Sequence, residues 1–173
     1  MTGVRVAIIG AGAVGGVAAA VLAGLRQDVV LCVRRPIPRL IVEMNNAVQE
    51  VQARIATNPA LESPVEWVLL ATKSQDTQST VPWLDNLVGP GTIVVVLQNG
   101  IDHVKRVGPL LRQGEVLPAT VYSSGEIVAP GHIRHHELQR YVVPAGSAGE
   151  AFAKLFEGGT LKVELSDDFV TIM

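Results

Sequence analysis

Cysteine, aromatic residues and charge are all scarce in this chain of 173 residues. It has 1 Cys, 4% aromatic residues, 17% charged residues and a formal net charge of −2. A lone thiol cannot close an internal disulfide, and its presence agrees with a reducing compartment. Nucleic-acid binding calls for a basic surface and stacking side chains, and the composition supplies neither. These absences exclude a disulfide scaffold and argue against a nucleic-acid partner.

Long apolar runs are also missing, although 48% of the residues are hydrophobic. A run such as Thr92 to Leu97 is far too short to span a bilayer, and no charged-then-apolar leader precedes the first predicted strand. We therefore expect one cytoplasmic domain with no membrane partner. The high apolar content predicts a sheet buried on both faces, together with an exposed apolar surface suited to a homo-oligomer.

A glycine-rich turn between a strand and a helix organises the start of the chain. A β-branched run from Val4 to Ile9 predicts a buried parallel strand, and small apolar residues up to about Leu25 predict a helix. Between them lies a G-x-G-x-x-G motif made of Gly10, Ala11, Gly12, Ala13, Val14 and Gly15. Its first glycine makes the tight turn, its second admits a pyrophosphate, and its third lets the helix pack closely on the sheet. Helix N-terminal amides favour phosphate, so the motif predicts a dinucleotide site.

The residue that follows the second predicted strand, Val29 to Val33, indicates which dinucleotide is bound. Domains that bind NAD usually place Asp or Glu there, where it accepts hydrogen bonds from the ribose 2′-hydroxyl. This chain has Arg34 and Arg35 instead. A guanidinium is a planar fork of donors that suits a phosphate. We predict NADP(H) as the cofactor, with Arg34 on the 2′-phosphate and Arg35 stacked on the adenine or in solvent.

Two later strands place polar residues at the same edge of the predicted sheet. Val65 to Ala71 and Thr92 to Leu97 read as buried strands, followed by Lys73 and by Asn99. Ligands of open parallel sheets bind beyond the carboxyl ends of the strands. Lys73 and Asn99 are therefore candidate site residues, although a surface lysine and an Asn-Gly turn without a ligand are alternatives.

The predicted fold class is α/β, a Rossmann-type doubly wound parallel sheet with antiparallel edge strands in the C-terminal third. The antiparallel strands are predicted from short β-rich runs beyond residue 115, separated by Pro130-Gly131 and Pro144. We also expect a short helix over Arg39 to Met44 and one meandering edge strand over Val48 to Ile55.

The domain organisation is predicted to change near the end of the chain. Residues 1–165 are expected to form an NADP-binding Rossmann domain. Ser166-Asp167-Asp168 is typical of a helix N-terminus, with a capping hydroxyl and two acids against the helix dipole. We expect 166–173 to be the first turn of a helix belonging to a C-terminal helical domain that is absent from this chain.

These motifs together resemble the N-terminal domain of the ketopantoate reductase family. The resemblance rests on the glycine motif, the arginine after strand two, Ala71-Thr72-Lys73-Ser74 and Leu97-Gln98-Asn99-Gly100-Ile101, and it covers nearly the whole chain. It implies an NADP-dependent oxidoreductase that reduces 2-dehydropantoate to pantoate, in pantothenate and coenzyme A biosynthesis. The reaction would take place in a cleft between this domain and a helical C-terminal domain.

The resemblance also implies roles for individual residues. Gly10 to Gly15 would hold the pyrophosphate and Arg34 the 2′-phosphate. Lys73 and Asn99 would be catalytic, lining the nicotinamide and the 2-keto acid substrate, and Ser124 would contact the cofactor through its backbone. In the family the proton-donating lysine and an essential glutamate lie in the C-terminal domain, so no general acid is assigned here. We expect this chain to bind NADP(H) but to be nearly inactive alone.

Two other functions remain open from the sequence, and a metal site is not expected. The chain is alternatively part of a reductase of another 2-keto acid or ketone, or a non-catalytic NADP-binding or interaction module. His132 and His136 share one face of a predicted strand and His135 the other, with no Cys or carboxylate cluster to complete a ligand set.

Overall fold

The computed structural model describes residues 3–44 and 46–169, without the side chains of 137–139. The strands are β1 (Arg5–Ile9), β2 (Asp28–Cys32), β3 (Ile41–Met44), β4 (Ala47–Glu50), β5 (Arg54–Ala56), β6 (Trp67–Leu70), β7 (Ile93–Val96), β8 (Glu115–Pro118), β9 (Thr120–Ala129), β10 (His132–Pro144) and β11 (Lys162–Ser166). The α-helices are α1 (Ala13–Gly24), α2 (Val81–Leu87), α3 (His103–Val107) and α4 (Ser147–Leu155), with 3₁₀ helices at Pro59–Leu61, Ser74–Thr80 and Gly108–Leu110.

The first sheet has six strands that all run in parallel, in the order β5-β2-β1-β6-β7-β8. The chain builds outward from β1 in one direction and then from β6 in the other, which is the doubly wound arrangement. The predicted fold class is thus confirmed. All carboxyl ends of the strands lie at one edge of the sheet, and the order reverses between β1 and β6, where such sheets bind ligands.

Alternate residues along the parallel strands face two separate cores. Ile8 belongs to the core that contains α1, while Ile9 belongs to the core that contains Trp83 and Leu87 of α2. All four are buried. Both faces of the sheet are therefore covered, as the apolar strand sequences predicted.

The second sheet is mixed and covers the far side of α1. Its order is β11-β10-β3-β4, with β9 antiparallel to β10. Of the strands expected to be antiparallel at the edge of the first sheet, β9 and β10 lie in this second sheet, whereas β8 pairs in parallel with β7 in the first. A side chain at Gly15 would overlap Gly10 in the first sheet, and a side chain at Gly16 would overlap Ile133 in the second. Helix α1 is thus enclosed between two sheets, which explains why it is apolar all round.

Two local predictions are wrong. Arg39 to Met44 is not a helix, because Ile41–Met44 pairs as β3 with β4 and β10. Leu40, Val42 and Met44 alternate and are all buried. The segment predicted as one edge strand, 48–55, is divided between β4 in the second sheet and β5 in the first. β3 pairs with the neighbouring β4 and with the distant β10, and β5 pairs with the distant β2, so tertiary pairing decides both segments.

The predicted start of a C-terminal helix falls at the end of the described residues. Ser166 is the last residue of β11, and Phe169 is buried. Residues 170–173, which carry the rest of the predicted helical turn, lie outside the described part of the chain. The domain boundary stays a prediction.

Some apolar side chains of the described residues are exposed, including Val48 at 70% and Ile127 at 60%. They are compatible with the predicted homo-oligomer, which stays a prediction. Within residues 3–44 and 46–169, no helix has the length and hydrophobicity needed to cross a membrane.

A buried carboxylate joins the edge strand β5 to β1. The side chain of Glu62 is 1% exposed, and Arg54 of β5 donates hydrogen bonds to both of its oxygens. Arg5 of β1 lies 3.7 Å from the same carboxylate. The hydrogen bond from Arg54 lowers the pKa of Glu62 although burial opposes it. This ion pair fixes the edge of the sheet next to β2, which precedes Arg34.

We expect Glu62→Gln to lower the free energy of unfolding at pH 7 by about 1–3 kcal/mol, measured by urea denaturation. This expected loss of stability is moderate because half of the Arg54 side chain is exposed and water screens its charge. Because the folded-state pKa of Glu62 is depressed, its contribution is complete above the ordinary value of 4.5 and is lost as pH falls through the folded value.

The matched control is Glu50→Gln, which removes an exposed carboxylate 3.5 Å from Arg39. It should change the free energy of unfolding by less than about 0.5 kcal/mol. An equal loss in both variants, or a loss in Glu62→Gln that does not shrink as pH falls below the ordinary value of 4.5, would contradict the assignment.

Candidate cofactor and substrate site

Segments that follow four neighbouring strands bring the predicted site residues into one row. In the order β2, β1, β6 and β7, these segments carry Arg34, Gly10, Lys73 and Asn99. The pairing continues just past the strands, because the backbone N–H of Gly10 donates to the carbonyl of Cys32 at 3.0 Å. We call these four residues the carboxyl-edge row. The structure thus brings together residues that lie up to 89 positions apart.

Lys73 and Asn99 follow a paired position of β6 and β7 by the same number of residues. Leu70 pairs with Val96, and the N–H of Leu97 donates to the carbonyl of Leu70 at 2.9 Å. Lys73 and Asn99 each follow this pair by three residues, beyond the end of the strand ladder. Both side chains are exposed, and within the described residues neither makes a hydrogen bond or an ion pair. They are available to a ligand.

The glycine motif combines close packing with an open position. Gly10 has φ +110°, and a Cβ there would lie 3.1 Å from the backbone of Ala71. A Cβ at Gly15 would overlap the carbonyl oxygen of Gly10, whereas one at Gly12 would have no heavy atom within 4 Å. Gly12 is also the N-cap of α1 and provides no side-chain cap for the first amides. The open space beside these amides suits an anionic group.

The remaining motif residues and the arginines border this space. Ala11, Ala13 and Val14 are partly buried against the core. Arg34 and Arg35 are exposed, and no acidic side chain of the described residues pairs with either. Cys32, just before them, is buried, and burial raises the pKa of its thiol to about 12. The cysteine is an inert core residue at neutral pH.

A buried polar cluster behind the row was missed in the sequence, where Gln98 was named only as part of the Leu97-Gln98-Asn99-Gly100-Ile101 motif and given no role of its own. Gln98 is 3% exposed. Its Nε2 donates to Thr72 Oγ1 at 3.0 Å, and its Oε1 accepts from Arg106 Nη2 at 3.0 Å. Thr77 Oγ1 lies 3.1 Å from the same oxygen. The motif places an amide directly after an apolar strand, but nothing in the sequence reveals its three partners.

Ser124 lies on β9 close to the mouth of α1, but its side chain is exposed. A Cβ at the next residue, Gly125, would lie 3.3 Å from the Cβ of Ala13. Side chains alternate along a strand, so Ser123 shares the face of Gly125 while Ser124 points the other way. The predicted backbone contact of Ser124 is not tested by this arrangement.

Other groups of polar side chains on the described surface lie away from the row. His132 Nε2 is 2.7 Å from Glu43 Oε1, and Arg134 donates a hydrogen bond that lowers the pKa of Glu43. No set of three or more His, Cys, Asp or Glu in the described residues is arranged to hold a metal ion. A pocket of about 460 Å³ between α4 and β11 lies near the C-terminal end of α1, opposite the glycine motif.

Comparisons with known proteins show similarity to one family. The family model of ketopantoate reductase PanE/ApbA matches residues 6–148. The chain is 42% identical over 167 residues to a 2-dehydropantoate 2-reductase of Caulobacter vibrioides, covering 96% of this chain and 58% of that protein. It is 34% identical over 170 residues to the enzyme of the same name from Mycobacterium tuberculosis, covering 96% of this chain and 57% of the relative.

Solved structures show the same likeness. A ketopantoate reductase from Ralstonia eutropha superposes with a TM-score of 0.85 at 33% identity, covering 94% of this chain and 56% of that one. The chain therefore spans a little over half the length of the relatives that it matches.

The glycines of the motif should respond differently to alanine. Gly15→Ala should cost about 3 kcal/mol or more of stability, because the new methyl group overlaps a backbone oxygen. Gly12→Ala should cost less than about 1 kcal/mol, because its φ of −80° suits any residue and the space is open. Thermal and urea unfolding measure both.

The control is Gly24→Ala, at the exposed last residue of α1, where a Cβ also meets nothing within 4 Å. It should be neutral or stabilising by about 0.5 kcal/mol. Equal losses at Gly12 and Gly15 would show that the turn is packed differently.

Proposed function

The chain belongs to the ketopantoate reductase family, and we propose that it forms the NADPH-binding half of a cytoplasmic 2-dehydropantoate 2-reductase. The reaction serves pantothenate and coenzyme A biosynthesis. The carboxyl-edge row is the observation that carries the proposal, because it sets uncapped helix amides, an unpaired guanidinium, a lysine and an amide along one edge. Each has the chemistry of one part of NADPH or of a 2-keto acid.

The described residues fit the cofactor. The first amides of α1 take the pyrophosphate, which approaches over Gly12 because that position carries no side chain. Arg34 takes the 2′-phosphate with its fork of donors. No acidic residue ends β2, so nothing there repels the phosphate or selects the free 2′-hydroxyl of NAD.

The other half of the row lies on the nicotinamide and substrate side. The bound cofactor supplies a hydride to the ketone carbon. Lys73 attracts the substrate carboxylate or the charge that develops on the ketone oxygen, and Asn99 donates a hydrogen bond that orients the reacting groups. Both residues follow neighbouring strands, β6 and β7, which would let both side chains reach one small substrate.

Protonation of the ketone oxygen is proposed to come from a separate C-terminal helical domain, corresponding to the part of the relatives that this chain does not span. Residues 1–165 then form the cofactor domain, and 166–173 begin the connection to the helical domain. The exposed lysine and amide of the row would face that domain across the substrate.

Arg34→Gln should weaken NADPH binding by about 10- to 100-fold, because a charge-assisted pair of hydrogen bonds to the phosphate is lost. NADH binding should change by less than about twofold, since its ribose offers no phosphate to Arg34. Titration of the cofactor's fluorescence at fixed ionic strength measures both.

Arg112→Gln is the matched control. Arg112 is an exposed arginine paired with Asp85 near the opposite edge of the sheet, and its loss should leave NADPH binding unchanged. A wild-type chain that prefers NADH, or an equal loss in both variants, would refute the role of Arg34.

The chain of 173 residues should bind NADPH yet reduce 2-dehydropantoate at least about 100-fold more slowly than a chain extended to the length of its relatives, because a general acid contributes that much. Oxidation of NADPH followed by absorbance measures the rate. Full activity of the short chain, with its mass verified, would contradict this. If the extended chain reduces only another 2-keto acid, the proposed substrate is wrong while the reductase assignment stands. Cofactor binding by the extended chain without any reductase activity would favour an interaction module.

A further inference from the structure

We propose that Gln98 is a positioning residue that sets the spacing between Lys73 and Asn99. The inference rests on the proposed function, because it gives those two residues the nicotinamide side of the site. Gln98 immediately precedes Asn99, and its side chain bonds to Thr72, which immediately precedes Lys73. One buried amide therefore joins the two segments that carry the exposed polar groups.

The orientation of the amide is fixed by chemistry. Arg106 has only donors, so the group 3.0 Å from its Nη2 must be the amide oxygen of Gln98. The amide nitrogen consequently faces Thr72 Oγ1 and donates to it. The single proton of the Thr77 hydroxyl has two acceptors within reach, the carbonyl of Ser74 at 2.7 Å and Oε1 of Gln98 at 3.1 Å, so Arg106 alone fixes the orientation of the amide.

Gln98 lies at the enclosed end of the cluster, while its partners Thr72 and Arg106 are partly buried. Gln98 and Thr77 are both buried. Losing one partner leaves buried polar atoms unsatisfied, which costs more than an exposed hydrogen bond would. The segments after β6 and β7 are thereby held in register beyond the point where the strand ladder ends.

Arg106, which bonds to Gln98, also lies beside the turn that follows Asn99. It reaches from α3 back toward β7, and its Nη1 lies 3.7 Å from the position of a Cβ at Gly100. Gly100 has φ +118°, a conformation that favours glycine. The direction of Asn99 is therefore set from behind by the bond between Arg106 and Gln98.

The test separates the nicotinamide side of the site from the adenosine side. Affinities for NADPH and for 2′,5′-ADP, which lacks the nicotinamide, are measured by calorimetry on the chain of 173 residues. Gln98→Leu should weaken NADPH binding by about tenfold and leave 2′,5′-ADP within about twofold, because α1 and Arg34 are untouched. Gln98→Glu should retain most of the NADPH affinity, because its carboxylate still accepts from Arg106 and from the hydroxyl of Thr72.

Gln113→Leu is the matched control. Gln113 is an exposed residue away from the row, and its Nε2 donates a partly buried hydrogen bond to the carbonyl of Val88 at 3.1 Å. Its loss should lower stability without changing the ratio of the two affinities. If Gln98→Leu does not fold, Thr72→Val serves as the deciding variant. It removes only the hydroxyl that accepts the hydrogen bond from Gln98 and so links the two segments. Thr72→Val should lower the ratio of NADPH affinity to 2′,5′-ADP affinity by about threefold.

An unchanged ratio in Gln98→Leu or in the deciding Thr72→Val, or equal loss of both ligands, would overturn the inference while leaving the cofactor site intact. Failure of the wild-type chain to bind either ligand would instead overturn the proposed function and, with it, this inference. Binding of 2′,5′-ADP with no added affinity for NADPH would overturn the positioning role alone.

Discussion

The close approach of α1 to the first sheet is the constraint on which the rest of the structure depends. The absence of a side chain at Gly15 lets the helix lie directly over the carbonyl of Gly10, and no larger residue fits between them. That contact brings the first amides of the helix to the carboxyl edge between β1 and its neighbours. The same edge carries Arg34, Lys73 and Asn99, so one packing contact places a phosphate-binding helix end next to the polar ends of several strands.

The second sheet makes this placement stable. If α1 packed only on the first sheet, its opposite face would expose apolar side chains to water. Here β10 packs on its other side through Ile133, at Gly16, and β9 passes close to Ala13. The second sheet therefore buries the helix and also forms one wall beside the glycine motif. The packing of α1 between two sheets thus both stabilises the fold and shapes the candidate site.

The sequence predicted the parts whose causes are local. The glycine motif was interpretable because strand, turn and helix follow one another and each glycine meets a backbone requirement of its own. Prediction from the sequence was wrong where pairing between strands decides the secondary structure. The run from Leu40 to Met44 fits both a short helix and an alternating strand, and only the partners β4 and β10 select the strand. Likewise the strands after residue 118 were predicted by type, but their assembly into a separate sheet depends on contacts with α1 and β3.

By itself the sequence determined the α/β class, the position of the dinucleotide motif and the charge that follows the second strand, because these depend on residues adjacent in the chain. The tertiary structure decided that Arg34, Gly10, Lys73 and Asn99 form one row, since strand order and parallel register set their spacing. It also decided that Gln98 faces inward to Thr72 and Arg106. A buried amide acquires such partners only when separate segments fold together, and no local pattern encodes which of them it will meet.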